Sequence, residues 1–154
     1  MHVENFADIE AEFKARVETM VWCSVATVDR QGRPRSRVLH PIWEGNIGWI
    51  GTGAGTYKSK HIAANPYVSL AYITNIHRPV YADCHAEWIT DSETCQYVWN
   101  LFQKTPEPIG YDPEPTFGAV ANFNVIKLTP WRIDLVSFPA ESMEAGTKVW
   151  RSKL

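Results

Sequence analysis

The sequence predicts a mainly β fold, a small antiparallel barrel of six strands with helices at its periphery. Segments rich in β-branched and aromatic residues recur along the chain and are mostly joined by short turns, as in a meander. Closing such a meander into a barrel removes exposed strand edges. The 154 residues, 45% of them hydrophobic, suit a single domain over 1–154. The predicted strands cover residues 21–29, 35–43, 47–52, 67–73, 80–90 and 123–138.

Three helices are predicted at the ends and edges of the barrel. The first and third have apolar residues three or four positions apart on one face. Thr56 provides an N-cap for the second helix, and Asn65-Pro66 ends it. Asp91 or Ser92 caps the third helix. The helices are predicted over residues 6–20, 57–64 and 92–104.

Two turn signals determine how the first strands connect. The segment "RQGRP" (30–34) is a hairpin turn in which Gly32 takes a positive φ. The segment "EGN" (44–46) is a second tight turn. Antiparallel pairing around it would place residues 37–39 across from residues 50–52.

The C-terminal third is less regular. The proline-rich residues 105–118 are predicted to be a loop. Pro130 lies inside the last predicted strand and indicates a bulge or a sheet edge. The polar residues 139–154 are expected to form a mobile tail.

Composition and charge exclude several classes of function. The net charge of −2 argues against general nucleic-acid binding, which needs a strongly basic face. No apolar run approaches the ~20 residues that span a bilayer, and the N-terminus lacks the features of a signal peptide. We therefore expect no membrane association.

The cysteines favour a cytoplasmic protein. Cys23, Cys84 and Cys95 are an odd set without paired spacing, which is typical of reduced, partly buried thiols. The Cys84-His85 pair fits no standard ligand spacing, so no metal site is predicted.

The stretch "GTGAGTYKSK" (51–60) has the composition of an anion site. Glycines let backbone N–H groups approach a ligand, and the start of a helix adds its dipole. Thr52 and Thr56 contribute hydroxyl groups, while Lys58 and Lys60 contribute positive charge. A glycine-rich turn with solvated lysines remains the alternative.

Two arginines on the preceding strand strengthen the anion interpretation. Arg35 and Arg37 alternate with other residues, so both lie on one face of their strand. That strand is one hairpin away from the glycine loop, and basic side chains from the two segments can converge on one anion. Solvated strand charges remain the alternative.

The order of these parts resembles a known family. The segments "SVATVDRQGRPRSRVLHPIW" and "IGWIGTGAGTYKSKHIAANPYVSLAYI" contain a strand, a glycine turn, a basic strand, a Thr/Gly loop and "K-x-x-x-I-x-x-N-P". With the later "LTPWRIDL", they resemble the flavin-binding split β-barrel superfamily of pyridoxamine 5′-phosphate oxidase-like proteins. The resemblance implies a homodimer with the flavin in a groove at the dimer interface.

Individual site residues follow from that resemblance. The cofactor phosphate would be held by Arg37, with Arg35 as the second strand candidate, and by the helix-start residues. The flavin ring would pass the backbone of three strand residues, and Thr52 would lie near the ribityl chain or ring. The implied helix-start residues are Thr56, Tyr57, Lys58 and Lys60, and the implied ring-bordering residues are Val38, Leu39 and His40.

The same resemblance leaves two cofactors open. FMN is the default, although Tyr57 stands where FMN-binding members often have arginine. Lys58-Ser59-Lys60 resembles the helix start of a branch that uses the deazaflavin coenzyme F-420, whose acidic tail needs more positive charge, such as Lys60 and Arg78. The chain lacks the second phosphate clamp of true pyridoxamine phosphate oxidases.

The predicted function is a flavin- or deazaflavin-dependent oxidoreductase acting on a small organic substrate. No catalytic acid or base is predicted, because the cofactor performs hydride transfer itself. A non-catalytic flavin or tetrapyrrole (haem or bilin) binder, acting as carrier or sensor, is the alternative. A plain interaction module with an empty groove is the third hypothesis.

Overall fold

The computed structural model describes residues 1–138 and 146–153. The described chain is mainly β with peripheral helices, as the sequence predicted. The strands are β1 His2–Val3, β2 Cys23–Val28, β3 Pro34–Leu39, β4 Ile42–Glu44, β5 Ile47–Gly53, β6 Tyr67–Tyr72, β7 Val80–Ile89, β8 Phe123–Leu135 and β9 Lys148–Arg151. The helices are α1 Ala7–Met20, α2 Tyr57–Ala64, α3 Ser92–Lys104 and the single turn α4 Glu114–Phe117, followed by a 3₁₀ turn at Val120–Asn122.

The strands form one mixed sheet around the long strand β8. β7 pairs with β8 along one edge, while β5 and β9 share its other edge. Beyond β7 the order continues through β6 and β2 to β3, and β4 pairs with β5. The β1–β9 pair is parallel, and the other pairs are antiparallel.

The predicted closure of the barrel by strand pairing is wrong, because the sheet is not closed. Its two end strands, β3 and β4, do not pair within the described residues. They are instead consecutive in the chain, joined by His40 and Pro41. Proline has no N–H to donate to a ladder, so the strand predicted over 35–43 is interrupted here. The ring of strands is thus completed by the chain itself.

The predicted pairing of residues 37–39 with 50–52 is also wrong. The "EGN" turn forms, with Glu44 opposite Ile47, but the ladder it starts ends at Ile42 opposite Trp49. β3 pairs with β2 through the hairpin at Gly32, whose φ is +77°. The basic strand therefore lies at an open edge, one face of which is free to meet α2.

All three predicted helices are present. Asp91 accepts a 2.8 Å hydrogen bond from the Thr94 N–H and so caps α3 as predicted. The proline-rich residues 105–118 are not wholly a loop, because they contain α4. Asp112 accepts a 3.1 Å hydrogen bond from the Glu114 N–H at the start of that turn.

The core lies inside the ring of strands and extends under α1. Ile9, Phe13 and Val17 of α1 are buried against it. Within the ring, the Trp43 indole donates a 2.9 Å hydrogen bond to the Tyr72 hydroxyl, which satisfies both polar groups. A second cluster packs α3 against β5 and β8, with Trp99 and Phe123 in edge contact.

Part of the expected C-terminal tail is a strand. Lys148–Arg151 form β9, in which Trp150 is buried and contacts Phe6. β9 has four residues, which are too few for an alternation of apolar and polar residues to indicate a strand. Its formation also depends on pairing with β8, which is distant in the sequence. Residues 139–145 and 154 of that expected tail lie outside the described residues. The bulge predicted at Pro130 is confirmed, because the β7–β8 register shifts there and skips Trp131.

Cys23, Cys84 and Cys95 are free and buried. Burial raises the pKa of Cys23 to about 12, so this thiol behaves as a packed core side chain. Within residues 1–138 and 146–153, no helix is both long and apolar enough to cross a membrane. In the same residues, no three His, Cys, Asp or Glu side chains converge as metal ligands do.

Candidate functional site

An open groove of about 890 Å³ lies between β3, the glycine loop and the start of α2. We call it the basic groove. It brings together five residues that the sequence singled out from two separate segments. The basic groove is lined by Arg35, Ser36, Arg37, Gly55, Thr56, Tyr57, Lys58 and His61.

The loop into α2 orients polar groups toward this groove. Gly55 has φ of +73°, a conformation that favours glycine, and Thr56 follows in an extended conformation at the N-cap position. Thr56 does not form the predicted side-chain cap, and its hydroxyl is buried without a partner in the described residues. In the first turn of α2, the Ser59 N–H donates a 3.1 Å hydrogen bond to the Thr56 carbonyl, whereas the N–H groups of Tyr57 and Lys58 come before the first such bond. Donor groups without acceptors at a helix start favour an anionic ligand.

A hydrogen-bonded relay holds Arg37 against the wall of the basic groove. Arg37 Nη1 donates a 2.7 Å hydrogen bond to Thr27 Oγ1, and the same oxygen lies 2.8 Å from Nδ1 of His61. A guanidinium cannot accept, so the Thr27 hydroxyl accepts from Arg37; towards His61 it donates to Nδ1 or accepts from it, according to the tautomer of the ring. In the tautomer that carries its proton on Nε2, His61 offers a second donor to the groove.

Two of the three positive charges in the basic groove have no ion-pair partner in the described residues. In the described part of the chain, Arg37 and Lys58 form no ion pair, while Arg35 lies 4.0 Å from Asp29. Burial, followed by repulsion from Arg37, lowers the pKa of Lys58. Burial, followed by repulsion from Arg35, lowers the pKa of Arg37. A bound anion would relieve both effects.

Lys60 points to a different place from Lys58. It is exposed, its Nζ lies 5.6 Å from the centroid of the Tyr57 ring, and it does not line the basic groove. It lines a smaller cavity of about 260 Å³, which we call the side groove. The two grooves share Arg35, Tyr57 and His61, and the side groove adds Asp29, Arg30, Gln31, Arg33 and Lys60.

Three further predicted residues line another cavity, of about 450 Å³, which we call the aromatic cavity. Val38, Leu39 and His40 continue β3 from the basic groove into it. Thr52 is buried and is absent from the described lining of all three cavities, whereas its neighbour Gly51 lines the aromatic cavity. The remaining lining residues are Trp22, Glu107, Pro108, Gly110, Tyr111, Thr116 and Phe117.

Sequence reasoning missed Thr27 and His61. The sequence nevertheless contains a signal for each of them. His61 is three residues after Lys58, which puts the two on neighbouring positions of one helix face. The hairpin at Gly32 sets Thr27 opposite Arg35 and Val25 opposite Arg37, so a hydroxyl next to the two arginines could have been inferred.

Comparison with known proteins identifies relatives of this chain. A profile of the family described as pyridoxamine 5′-phosphate oxidase matches residues 9–137. No curated protein sequence matches the chain.

Several solved structures share the fold. A protein related to general stress protein 26 (pyridoxinephosphate oxidase family) from Clostridium acetobutylicum is 12% identical, with a TM-score of 0.71 over 94% of each chain. A pyridoxamine 5′-phosphate oxidase-related, FMN binding protein from Nostoc punctiforme is 17% identical, with a TM-score of 0.65 over 86% of this chain and 85% of its own. An F420 reductase is 20% identical, with a TM-score of 0.61 over 78% of this chain and 94% of its own. At these identities the likeness concerns the fold, and it confirms the split barrel that the resemblance implied.

Proposed function

The chain belongs to the pyridoxamine 5′-phosphate oxidase family, and from that premise we propose that it is a flavin-dependent oxidoreductase that holds FMN by its phosphate in the basic groove. One observation carries the proposal above the others. Arg37 and Lys58, which have no ion pair in the described residues, converge with the unpartnered Thr56 hydroxyl on one groove. A phosphate group supplies the charge and the acceptors that this arrangement lacks.

The chain's residues bind and orient the cofactor. Arg37, held in place by Thr27, and Lys58 pair with the phosphate, while Thr56 and the free N–H groups at the start of α2 donate to its oxygens. In its Nε2–H tautomer, His61 adds a further donor. Bound FMN would supply hydride transfer to or from a small organic substrate, and no side chain is assigned a catalytic proton transfer.

The path from phosphate to ring follows β3. Residues 35 to 40 span about 17 Å at about 3.4 Å per residue. The strand therefore leads from the basic groove to Val38, Leu39 and His40, which would border the flavin ring. The ring would lie beside the aromatic cavity rather than inside it.

The deazaflavin F-420 is the second candidate cofactor, and the side groove favours it. Lys60, Arg30 and Arg33 lie there beyond the basic groove, although Arg33 already pairs with Asp29 at 2.9 Å. A cofactor with a long acidic tail would use these charges. FMN, with one compact phosphate, would leave them in solvent.

We further propose a homodimer that covers β3. This strand pairs only with β2 in the described chain, and the apolar Val38 is 65% exposed on it. A second copy would cover this apolar edge and shield the flavin ring from water. The buried, free cysteines are consistent with a cytoplasmic location.

The absorption spectrum of the purified protein tests the function. A flavin spectrum supports FMN, a deazaflavin spectrum supports F-420, and a haem-like band supports the alternative of a non-catalytic tetrapyrrole carrier. A colourless protein that takes up neither FMN nor F-420 on titration would refute the flavin proposal.

A further inference from the structure

The aromatic cavity has a preformed wall made of the proline-rich residues 105–118. The Gly110 N–H donates a 3.0 Å hydrogen bond to the Pro106 carbonyl, and the Tyr111 N–H donates a 3.1 Å bond to the Phe102 carbonyl. A Cβ at Gly110 would lie 1.9 Å from the Thr105 carbonyl oxygen, so only glycine allows this packing against α3. With about 450 Å³, the cavity is within the size range of small-molecule sites.

The ring geometry of the cavity selects a flat ligand. The Trp22 and His40 rings lie 4.8 Å apart between centroids, and His40 and Tyr111 lie 5.4 Å apart. The Trp22 side chain is 56% exposed at the edge of this run of rings, where it is free to stack on an incoming planar molecule.

His40 provides a specific polar contact. Its Nε2 is buried and has no hydrogen-bond partner in the described residues. Burial lowers the pKa of His40 against a smaller opposing effect of the Ile109 backbone, which favours the neutral ring. In the tautomer that carries its proton on Nδ1, Nε2 is an acceptor, which calls for a donor on the ligand.

The charge of the cavity contrasts with that of the basic groove. No Lys or Arg is among the described residues that line it, and its one carboxylate is Glu107. A phosphate or carboxylate on a ligand here would meet an acidic group and no cation, which opposes binding.

From these observations we propose that the aromatic cavity is the substrate site, taking a flat aromatic molecule that has no negative charge and donates a hydrogen bond to His40. The assignment of this ligand as a substrate rests on the proposed function, because Val38, Leu39 and His40 border both the cavity and the proposed flavin ring. The proline-rich wall then determines which substrates enter.

Three small probes test the ligand class: 2-naphthol, which is neutral and a donor; 2-methoxynaphthalene, which has no donor; and 2-naphthalenesulfonate, which is an anion. The readout is the indole N–H resonance of Trp22 in ¹H–¹⁵N spectra of the full chain, assigned with Trp22→Phe. We expect 2-naphthol to shift this resonance saturably and to bind at least tenfold more tightly than either other probe. Equal affinity for the sulfonate, or no effect on Trp22, would overturn the proposal.

Variants then test the residues. His40→Leu should weaken 2-naphthol binding about tenfold and His40→Gln should restore part of it, because the amide again offers an acceptor. Glu107 is exposed, so Glu107→Gln should leave the core intact. This variant should raise the affinity for the sulfonate several-fold. Unchanged affinities in His40→Leu and Glu107→Gln would contradict the proposed contacts.

Lys58→Ala separates this inference from the proposed function. It should weaken flavin binding about 10- to 100-fold, measured by titration, and leave 2-naphthol binding unchanged. If the wild type loads flavin normally but shows no response to 2-naphthol, only the substrate site is refuted. A chain that never loads flavin but keeps the naphthol response would refute the proposed function while the cavity assignment stands.

Discussion

The guanidinium of Arg37 donates a 2.7 Å hydrogen bond to the hydroxyl of Thr27 on the neighbouring strand. Thr27 is 1% exposed, so this bond is shielded from water, and its hydroxyl also contacts His61, which is 9% exposed. Arg37 is therefore oriented before any ligand arrives. Pre-orientation reduces the entropy lost on binding.

Thr27→Val should weaken FMN binding about tenfold, because Arg37 and His61 lose their shared partner while side-chain volume is nearly kept. Isothermal titration calorimetry measures the change. Thr19→Val, an exposed threonine of α1 that bonds only to the Ala15 carbonyl, is the matched control. An unchanged affinity in Thr27→Val would show that the relay does not position Arg37.

Lys60→Ala distinguishes the two cofactors. Because Lys60 lines the side groove and not the basic groove, the variant should bind FMN with nearly the affinity of the wild type. If F-420 is the ligand, the acidic tail engages Lys60, and the variant should bind at least tenfold more weakly, with strong salt dependence in the wild type. A tenfold loss of FMN affinity in Lys60→Ala would contradict the placement of the phosphate.

Flavin affinity should fall at alkaline pH through Lys58. Burial and Arg37 lower the pKa of this ammonium in the free protein, so it loses its proton at lower pH than an exposed lysine. The charged form binds the phosphate, and affinity is therefore lost as pH rises through that lowered pKa. Lys58→Arg stays protonated and should retain its affinity over the same range. Parallel losses in the wild type and Lys58→Arg would exclude Lys58 as the titrating group.

Light scattering should give a mass of twice 17.5 kDa, the mass of one chain. Val38→Lys places a charge on the exposed edge of β3 and should shift the protein toward monomer with weaker flavin binding. Ile76→Lys is the matched control, since Ile76 is 71% exposed outside the proposed interface. A wild-type monomer that binds flavin with full affinity would contradict a shared groove.

Local signals predicted much of the fold. Apolar spacing and capping residues located α1, α2 and α3, and turn chemistry located the hairpins at Gly32 and Gly45. The prediction of long-range strand pairing failed. Pro41 separates β3 from β4, so that β4 and not β3 pairs with β5, and β9 is defined by its pairing with β8 and β1.

For the candidate site too, local sequence signals were sufficient for some residues and long-range packing decided the others. Arg35, Arg37, Thr56, Tyr57 and Lys58 were identified from residue type and order, and they line one groove. His61 shares a helix face with Lys58, but its contact with Thr27 depends on the packing of α2 against β2, which the sequence alone does not give. Thr52 was assigned to the site from loop composition. It lies in β5, where alternate residues face the core, and Thr52 is one of the buried ones.

Calorimetric titration of FMN into the wild type, Arg37→Ala and Lys58→Ala tests the phosphate site most directly. The account predicts saturable binding of about one FMN per chain, weakened about 10- to 100-fold in each variant, which corresponds to the ~1.5–3 kcal/mol of a hydrogen bond to a charged group. The exposed Lys14→Ala, which removes a cation paired with Glu18 on α1, should bind like the wild type. A wild type that takes up F-420 and not FMN would overturn the choice of cofactor. FMN binding that is equally tight in Arg37→Ala and Lys58→Ala would contradict the central claim that the basic groove holds the phosphate.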